Sequence, residues 1–372
     1  MLKALVVFGT RPEAIKMCPL VLELAHTEGI ESRVCVTGQH RSMLDQVLDI
    51  FKVKADYDLE VMRPNQSVNT ITTSVLEKME APLAEFKPDV VLVHGDTTTS
   101  MASALAAFYQ QIPVGHVEAG LRTYNRYSPF PEEMNRKLIT ALATYQFAPT
   151  EGNRLALERE SITEHVYVTG NTVIDSFQYT IQNDYRFKEP ALAGHDFSTR
   201  TILMTAHRRE NLGLPLENIC NAVVALAAQH PDVSFIYPVH LNPAVRETVF
   251  SILGGKERIT LCDPIDVEDM HNAIGRSYLV LTDSGGMQEE APHLGKPVLV
   301  MRTETERPEA VEAGTARVIG VEKDGIISAV QELLTNQALY QKMSTATNPY
   351  GDGHASERIV AILKGLIKKD SV

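Results

Sequence analysis

Three small residues, Ser284, Gly285 and Gly286, stand between an apolar segment and a stretch with helical spacing. At the start of a helix the first backbone N–H groups have no partner inside the helix, and the helix dipole places partial positive charge there. A turn of this kind binds phosphate groups. It is also compatible with a tight connection capped by Asp283 or Ser284, so the turn alone leaves both interpretations open.

Charged residues that suit a nucleotide occur in two further places. Glu289 and Glu290 follow the glycine turn, where a carboxylate either accepts hydrogen bonds from ribose hydroxyls or only compensates the helix dipole. Arg11 and Lys16 follow Gly9 at the end of the first apolar segment, and both side chains could reach a diphosphate. This turn lacks the GxGxxG pattern of dinucleotide sites. The alternative is a pair of solvated surface charges.

Several carboxylates of the first half of the chain follow predicted strands or open a helix. Asp96 and Glu118 stand at strand ends, and Glu132 and Glu133 open a helix behind Pro131. Asp96 also suits a helix cap, and the paired glutamates also suit dipole compensation. Because ligands bind outside the carboxyl ends of strands in open α/β sheets, these carboxylates are candidates for acid and base chemistry.

The composition excludes several classes of function. The chain has 372 residues and a net charge of -12, which argues against a general nucleic-acid or anionic-membrane surface and in favour of a small-molecule partner. It has no apolar span of membrane length and no cleavage site near its start. Four cysteines in apolar surroundings, without a CxxC pair, disfavour a zinc site or a disulfide framework. We expect a cytoplasmic protein.

The elements that must position these residues alternate along the chain. Apolar strand patterns recur from residue 2 to residue 171 and again from residue 201 to residue 320, with helical patterns between them. This alternation predicts parallel sheets, and the length predicts two cores. The predicted fold class is α/β, with two doubly wound Rossmann-like domains facing each other across a binding cleft. Residues 183–200 are predicted to form the linker.

Turn motifs of distinctive sequence occur in order along nearly the whole chain. They are GTRPEAIK at 9–16, HGDTTT at 94–99, GHVEAGLRT at 115–123, SPFPEE at 128–133, TGNTVID at 169–175, AHRREN at 206–211, YPVHLNP at 237–243, DSGGMQEEAP at 283–292, GKPVLVMR at 295–302, TERPEAVEAGT at 305–315 and NPYGDG at 348–353. Together they resemble the motifs of the bacterial non-hydrolysing UDP-N-acetylglucosamine 2-epimerases. The ordered set is far more specific than any single motif.

The resemblance implies a fold of the glycosyltransferase-B type in three parts. These are an N-terminal domain with the acid/base carboxylates over residues 1–182, a UDP-binding domain over 183–350, and a C-terminal helix over 351–372 that crosses back onto the first domain. It also implies a homodimer that interconverts UDP-N-acetylglucosamine and UDP-N-acetylmannosamine without a metal or a nicotinamide cofactor. The product would supply surface polysaccharide biosynthesis.

The resemblance also assigns site residues, motif by motif. Substrate binding falls to Arg11, Lys16, Asp96, Glu118, His207, Met270, Ser284, Gly285, Gly286, Glu290 and Arg307. The serine-glycine turn would hold the phosphates, Glu290 the ribose, and the cationic side chains the diphosphate. The acid and base candidates are Asp96, Glu118, Glu132, His207 and Lys16. Met270 stands where an aromatic residue would stack on uracil, so base recognition would depend on backbone and apolar contacts.

Some relatives in this family are activated by their own substrate through a Gln-His-Arg turn. Gln39, His40 and Arg41 are present here, but Ser42 and Asn65 stand where longer polar or basic side chains would bind a second nucleotide. The sequence therefore supports an allosteric site only in part.

The chemistry of the implied reaction explains the residue types. Carbon 2 of the sugar is not adjacent to a carbonyl, so its proton is not acidic and direct removal is implausible. Elimination of UDP to 2-acetamidoglucal, followed by re-addition with a proton on the other face, is easier. It requires a carboxylate base, a second proton-transfer group and a cationic cradle for the diphosphate. A cluster of Asp96, Glu118 and Glu132 would raise the pKa of one carboxyl, but the sequence does not assign the base.

Three other functions fit parts of the pattern. A glycosyltransferase with a UDP-sugar donor would use the same cleft but needs an acceptor site and one base, not three carboxylates. A hydrolysing epimerase would release free N-acetylmannosamine and UDP, and the intact GTRPEAIK turn disfavours it. A catalytically silent sugar-nucleotide sensor would keep the phosphate turn but has no need of the carboxylates. The non-hydrolysing epimerase accounts for all of these features.

Overall fold

The chain is described by a computed structural model over residues 1–38, 41–62 and 66–367. It divides into two compact units, the first made of Met1–Tyr179 and Tyr350–Val372 and the second of Thr180–Pro349. The chain therefore leaves the first unit after Tyr179 and returns to it at Tyr350.

The first unit alternates strands and helices as predicted. Its strands are β1 (Leu2–Phe8), β2 (Ile30–Val36), β3 (Tyr57–Asp58), β4 (Val90–His94), β5 (Val114–Val117), β6 (Tyr145–Ala148) and β7 (Val166–Val168). Its helices are α1 (Arg11–His26), α2 (Arg41–Phe51), α3 (Val68–Phe86), α4 (Thr98–Tyr109), α5 (Glu132–Leu142), α6 (Glu151–Arg159), α7 (Thr172–Asp175) and α8 (Phe177–Thr180), the last of which ends at the boundary.

All neighbouring strands of the first sheet are parallel, in the order β3-β2-β1-β4-β5-β6-β7. Helices cover both faces of such a sheet, and every residue of β4 is accordingly buried. The order reverses between β1 and β4. At this point the helices leave on opposite sides and open a crevice at the carboxyl ends of the strands.

The turn after β1 shows why glycine is needed there. A Cβ at Gly9 would lie 2.1 Å from Oγ1 of Thr37 and 3.1 Å from Oγ1 of Thr99. The helix that follows begins with a capping box, in which Thr10 and Glu13 bond reciprocally to each other's backbone N–H groups, and with a proline in its first turn. The first strand therefore passes into α1 through a closely packed turn.

The second unit repeats the arrangement. Its strands are β8 (Arg200–Thr205), β9 (Val233–Pro238), β10 (Ile259–Cys262), β11 (Leu279–Thr282), β12 (Val298–Val300) and β13 (Ala316–Val318). Its helices are α9 (Pro190–Ala193), α10 (Leu214–Gln229), α11 (Pro243–Leu253), α12 (Val267–Arg276), α13 (Gly285–Glu290), α14 (Pro308–Glu312), α15 (Lys323–Thr335) and α16 (Gln337–Ser344), with single 3₁₀ turns at Arg209–Asn211 and Ala291–Leu294.

The second sheet is also parallel and has the order β10-β9-β8-β11-β12-β13. This is the doubly wound order with its reversal between β8 and β11, so the turns after these two strands flank the second crevice. The predicted α/β class with parallel, doubly wound sheets is thus confirmed.

Residues 183–200, which we predicted to be a linker, pack on the second unit instead. The side chains of Tyr185 and Phe187 are buried. The buried carboxylate of Asp269 accepts hydrogen bonds from the hydroxyl of Tyr185 at 2.8 Å and from the backbone N–H groups of Lys188 at 3.0 Å and Glu189 at 2.9 Å. The two buried aromatic side chains and these hydrogen bonds order a segment whose sequence has no regular period.

The last helix, α17 (Ala355–Ile367), belongs to the first unit. Ile359, Val360 and Leu363 lie in the same buried cluster as Leu20 and Leu24 of α1. The first unit is therefore completed by residues from the end of the chain.

Candidate functional site

The predicted residues of the first unit lie at the carboxyl ends of neighbouring strands. Asp96 follows β4, Glu118 follows β5, and Lys16 lies in the second turn of α1, the helix that follows β1. Two of them meet directly, because the ammonium group of Lys16 donates a hydrogen bond to Oε2 of Glu118. The sequence placed both near the sugar but did not predict this ion pair.

Glu118 is held by groups from three elements. Besides Lys16, the amide nitrogen of Asn171 donates to Oε2 at 3.0 Å, and Nε2 of His94 lies 3.5 Å from the same oxygen. The backbone of Glu118 is left-handed, with φ of 64°. A non-glycine residue with such a backbone costs about 1–3 kcal/mol, and residues of this kind cluster at active sites.

The neighbours of Glu118 shift its pKa. Burial raises its pKa, but the charges of Lys16 and His94 and their hydrogen bonds lower it further, so that the pKa lies well below its ordinary value. We had predicted that crowded carboxylates would raise the pKa of one group. The prediction did not say which carboxyl has the raised pKa, and it is not Glu118, whose side-chain partners in the described part of the chain are Lys16, His94 and Asn171 and not other carboxylates.

Asp96 is paired separately. Thr97 caps α4 through a hydrogen bond from the backbone N–H of Ser100, so the carboxylate of Asp96 does not serve as the cap. Instead, Nε and Nη2 of Arg136 donate to Oδ2 of Asp96 at 2.9 and 2.6 Å. Arg136 also donates to Oε2 of buried Glu133 at 3.0 Å. The carboxylate that follows β4 is therefore bound to a cation from α5.

Two predicted residues of this unit stand apart from these pairs. Glu132 is the first residue of α5 and is half-buried, and no hydrogen bond joins it to Asp96 or Glu118 in the described part of the chain. Arg11 is the exposed first residue of α1. The structure thus brings Lys16 together with Glu118 but does not show a cluster of the three predicted carboxylates.

Buried polar groups fix the turns that carry these residues. The carboxylate of Glu13 accepts from the backbone N–H groups of Gly9 and Thr10 at 3.1 and 2.8 Å and from the hydroxyls of Thr97 and Ser100 at 2.8 and 2.9 Å. It therefore joins the turn after β1 to the turn after β4. Both turns flank the point where the strand order reverses.

His116 supports the same region from within β5. Its ring is buried, and Nε2 lies 2.7 Å from the carbonyl oxygen of Gly95. Burial lowers the pKa of His116 to about 4. The ring is consequently neutral at physiological pH and donates its Nε2 proton to the residue that precedes Asp96.

In the second unit, Asp283 anchors the turn that follows β8. Its buried carboxylate accepts from the backbone N–H groups of His207 and Arg208 at 2.8 and 2.9 Å and from the side chain of Asn211 at 3.0 Å. We had considered Asp283 as a cap of its own turn. The structure shows that it holds the neighbouring turn instead, and Ser284 occupies the cap position of α13 without a side-chain capping bond.

Gly285 and Gly286 open α13, as predicted for the phosphate turn. A Cβ at Gly285 would lie 3.8 Å from Nη2 of both Arg208 and Arg307. The guanidinium of Arg307 is itself oriented by a hydrogen bond to buried Glu289. Two guanidinium groups therefore lie beside the turn. The sequence analysis predicted Arg307 at this place and missed Arg208.

Glu290, the predicted ribose ligand, ends α13. Its Oε2 lies 3.4 Å from Nε2 of buried His271, whose Nδ1 lies 2.7 Å from the hydroxyl of Thr180. Its Oε1 lies over the turn, 2.9 Å from the position that a Cβ on Gly286 would take. Met270, the predicted uracil contact, precedes His271 on α12 and is half-buried.

His207 follows β8 and keeps 38% of its side chain exposed, with Nδ1 3.5 Å from Oδ1 of Asp283. Its ring stacks on His240 with a centroid separation of 5.5 Å. Burial lowers the pKa of His207 and outweighs the opposing effect of Asp283. The neutral ring is therefore favoured, and it lies at the same turn as Arg208.

The remaining predictions concern a regulatory turn, metals and membranes. Gln39, His40 and Asn65 lie outside the described residues, and Arg41 is described only as the first residue of α2. Within residues 1–38, 41–62 and 66–367, no group of three or more His, Cys, Asp and Glu side chains could hold a metal ion. No helix in these ranges is long and apolar enough to cross a membrane. The four cysteines are buried and unpaired.

The functional residues that the sequence analysis missed were only weakly indicated by the sequence. Arg136 lies three positions after Glu133 on α5, a spacing that places both on one helix face. His94 precedes the glycine turn in HGDTTT, Asn171 lies within TGNTVID, and His271 follows Met270. Each lies in or beside a stretch that the sequence had singled out, but only the fold shows which carboxylate it contacts.

The fold is shared with a rhamnosyltransferase. Spinosyn rhamnosyltransferase is 14% identical and superimposes with a TM-score of 0.57, over 98% of this chain and 100% of its own. At this identity the likeness shows the fold alone, and it supports the glycosyltransferase-B class of α/β proteins with two parallel sheets.

Sequence comparison gives the family. The model of the family described as UDP-N-acetylglucosamine 2-epimerase matches residues 22–364. The UDP-N-acetylglucosamine 2-epimerase of Escherichia coli K12 is 53% identical over 370 residues, 98% of each chain. The crystal structure of the Neisseria meningitidis UDP-GlcNAc 2-epimerase bound to UDP-GlcNAc is 50% identical, with a TM-score of 0.90 over 98% of this chain and 100% of that one. The chain therefore belongs to the UDP-N-acetylglucosamine 2-epimerase family.

Proposed function

We propose that the chain interconverts UDP-N-acetylglucosamine and UDP-N-acetylmannosamine without hydrolysing them. The observation that carries this proposal is Glu118, an ionised carboxylate at a strand end with 10% of its side chain exposed, which Lys16 and Asn171 bind through one oxygen. Family membership supports the reaction, and the UDP-GlcNAc bound to the Neisseria meningitidis protein supports the substrate.

The second unit would bind the nucleotide. In this proposal Ser284, Gly285 and Gly286 bind the phosphates, and Glu290 accepts hydrogen bonds from the ribose. Support comes from the guanidinium groups beside Gly285, which are suited to a diphosphate because their N–H groups form charge-assisted bonds to its oxygens. Met270 would contact uracil. His207 and Arg11 would add further polar or positive groups near the diphosphate.

The first unit would move the proton. In the elimination the bond between carbon 2 and its hydrogen breaks, the electron pair forms a double bond to carbon 1, and UDP leaves carbon 1 with the electrons of the carbon–oxygen bond. The products are 2-acetamidoglucal and UDP. Re-addition of UDP to carbon 1 and of a proton to the opposite face of carbon 2 gives the epimer.

The pKa of Glu118 bears on its role in this scheme. Glu118 is a carboxylate at neutral pH and can accept the proton, and its lowered pKa makes it a weaker base than a carboxyl of ordinary pKa. Asp96, whose Oδ2 is bound by Arg136, is the second candidate acceptor. Glu132 is the candidate for proton transfer on the opposite face. Lys16, paired with Glu118, keeps positive charge beside the acceptor.

Both candidate acceptors share one geometric feature. In the described part of the chain, the side-chain contacts of Glu118 fall on Oε2 and those of Asp96 fall on Oδ2. A carboxylate held in this way has a fixed orientation and a second oxygen that is not engaged by those partners. We propose that Oε1 of Glu118 and Oδ1 of Asp96 face the sugar.

The cationic groups would serve the leaving group. Negative charge develops on the diphosphate as the bond to carbon 1 breaks, and fixed positive groups stabilise that charge without reorganising during the reaction. Arg307 is preorganised by Glu289, so its side chain does not have to be ordered when substrate binds. The proposal further includes a cytoplasmic homodimer whose product supplies surface polysaccharide biosynthesis.

The test is proton NMR of the protein with UDP-N-acetylglucosamine in deuterated water, without added metal, nucleotide cofactor or acceptor. Formation of UDP-N-acetylmannosamine with deuterium at carbon 2 is the expected result. Free N-acetylmannosamine as the main product would show a hydrolysing epimerase. An unchanged spectrum would reject the epimerase and favour a glycosyltransferase or a sensor.

A further inference from the structure

We infer that Asn171 is a positioning residue that orients the carboxylate of Glu118 for proton transfer. The inference rests on the proposed function, in which Glu118 accepts the proton. Asn171 is 3% exposed and stands at the N-cap position of α7, in the TGNTVID segment. None of the roles described above for the reaction requires an amide at this position.

The side-chain amide of Asn171 is fixed at both of its ends. Its Oδ1 accepts a hydrogen bond from the backbone N–H of Val173 at 3.1 Å, and its Nδ2 donates to Oε2 of Glu118 at 3.0 Å. The reverse orientation would place the carbonyl oxygen against a carboxylate and the NH₂ group against an N–H donor, both of which are repulsive. The capping bond from Val173 therefore orients the amide of Asn171 so that its NH₂ group faces Glu118.

The backbone of Asn171 is fixed as well. Its N–H donates to the carbonyl oxygen of Tyr350 at 2.7 Å. The neighbouring residues Gly170 and Gly351 pack so closely that a Cβ on Gly351 would lie 3.2 Å from the Cα of Gly170. The position of Asn171 is thus set by the segment in which the chain returns to the first unit, which lies far from Glu118 in sequence.

An amide has a property that the other partners of Glu118 lack. Within the part of the chain that the structure describes, ionisable side chains that act electrostatically on Glu118 include Lys16 of α1, His94 of β4 and His116 of β5. The amide of Asn171 is not ionisable and keeps its donor at every pH of interest. Asn171 can therefore hold the orientation of the carboxylate while protons move among its neighbours. Its loss should reduce kcat much more than it changes KM.

Asn171→Asp tests this role because it separates capping from donation. Aspartate caps helices as well as asparagine does, so the bond from Val173 should persist. The variant replaces an N–H donor with a carboxylate that faces Glu118, and a like charge raises the pKa of a carboxyl group. We expect kcat to fall at least about tenfold and the acidic limb of its pH profile to move upward by about one unit. KM for UDP-N-acetylglucosamine should change by less than about threefold.

The control is Asn336→Asp, which changes another N-cap of the same chemistry. Asn336 accepts from the backbone N–H of Leu339 at 3.0 Å at the start of α16, in the other unit. It should leave kcat, KM and the pH profile unchanged. Circular dichroism and thermal unfolding of both variants establish that they are folded.

If folded Asn171→Asp has the kcat and the pH profile of the wild-type protein, the inference is overturned and Asn171 is a helix cap only. If that variant does not fold, Asn171→Ser decides, because serine caps the helix but is too short to reach Glu118 in place of the amide. A lower kcat with KM retained supports positioning, and a wild-type kcat rejects it. Wild-type protein that forms no UDP-N-acetylmannosamine would instead reject the proposed function, so the two failures are distinct.

Discussion

Arg136 directs two N–H groups at a single oxygen of Asp96, at 2.9 and 2.6 Å. The neighbouring helix is capped by Thr97, so this carboxylate is not required to complete α4. A carboxylate that is oriented by a cation and has no capping duty is suited to chemistry. This relationship favours a functional role for Asp96 over the structural alternative that the sequence left open.

Asp96→Asn should therefore lower kcat by roughly two orders of magnitude or more, with UDP binding largely retained, because a neutral amide cannot accept the proton. Steady-state kinetics and calorimetry with UDP measure the two effects. The matched control is Asp232→Asn, which alters an exposed aspartate that accepts from Nε of Arg200 at 2.8 Å. Near-normal turnover in Asp96→Asn would remove the residue from the mechanism.

Glu133→Gln should lower the free energy of unfolding at pH 7 by about 1.5–3 kcal/mol. The carboxylate of Glu133 accepts hydrogen bonds from Arg136 and from two backbone N–H groups, whereas glutamine can accept through only one oxygen. Burial raises the pKa of Glu133, but the hydrogen bonds from Thr123, Arg136 and Tyr124 lower it by more, to a value below the ordinary 4.5. A lowered pKa stabilises the folded state above pH 4.5, and this contribution is lost as the pH falls through the folded value.

Urea unfolding of Glu133→Gln at pH 7 and at pH 4 checks both parts of this prediction. The difference from wild type should be large at pH 7 and smaller at pH 4. The control is Glu151→Gln, because Glu151 also pairs with an arginine of its own helix, Arg154, but is exposed. A loss of stability in the control equal to that in Glu133→Gln would contradict the prediction.

Glu290→Ala should weaken UDP binding by about 1.5–3 kcal/mol, because it removes a charged acceptor of ribose hydroxyls. Isothermal titration calorimetry with UDP measures the change. Glu312→Ala, which removes an exposed carboxylate at the end of α14, is the control and should bind UDP like wild type. If Glu290→Ala retained wild-type affinity, its carboxylate would serve only the helix and His271.

His116→Gln should change the pH dependence of stability in a defined direction. The folded pKa of about 4 lies below the ordinary 6.5, so the unfolded chain binds the proton more readily between these values. The wild-type protein should therefore lose stability as the pH falls from 6.5 toward 4, by at most about 3 kcal/mol from this residue. Above pH 6.5 this penalty is absent.

Glutamine can donate to the carbonyl of Gly95 but does not titrate, so His116→Gln should lose less stability than wild type between pH 7.5 and pH 5. Urea unfolding at several pH values within this range gives the comparison. The other histidines titrate in both proteins, so the difference between the two curves isolates His116. Parallel curves would mean that His116 takes up its proton in the folded state as readily as in the unfolded chain.

Strands and helices were predictable because they depend on local pattern. The strand patterns predicted between residues 2 and 171 and between residues 201 and 320 agree with two sheets of strands alternating with helices. The edge strand β3, Tyr57–Asp58, escaped prediction because two residues carry no period. The segment 183–200 was misjudged because its order comes from Asp269, which lies outside it.

The candidate site was predictable in its residue types but not in its pairs. Motifs placed Lys16 and Glu118 near one substrate, yet 102 positions separate them, and no spacing rule acts over that distance. The sequence analysis grouped the carboxylates with one another. In the fold, Glu118 instead accepts hydrogen bonds from Lys16 and Asn171, and Asp96 accepts them from Arg136. Glu118 is consequently not the carboxyl with the raised pKa that the predicted cluster required.

The return of the chain to its first unit has a consequence for biosynthesis. The second unit is one continuous segment, Thr180–Pro349, whereas the first unit lacks α17 until Ala355–Ile367 has left the ribosome. Until then the surface of α1 that packs against Ile359, Val360 and Leu363 remains exposed to solvent. The domain translated first is therefore the last to complete its core, and nascent chains stalled before residue 355 should be more susceptible to proteases in their N-terminal half than in their second half.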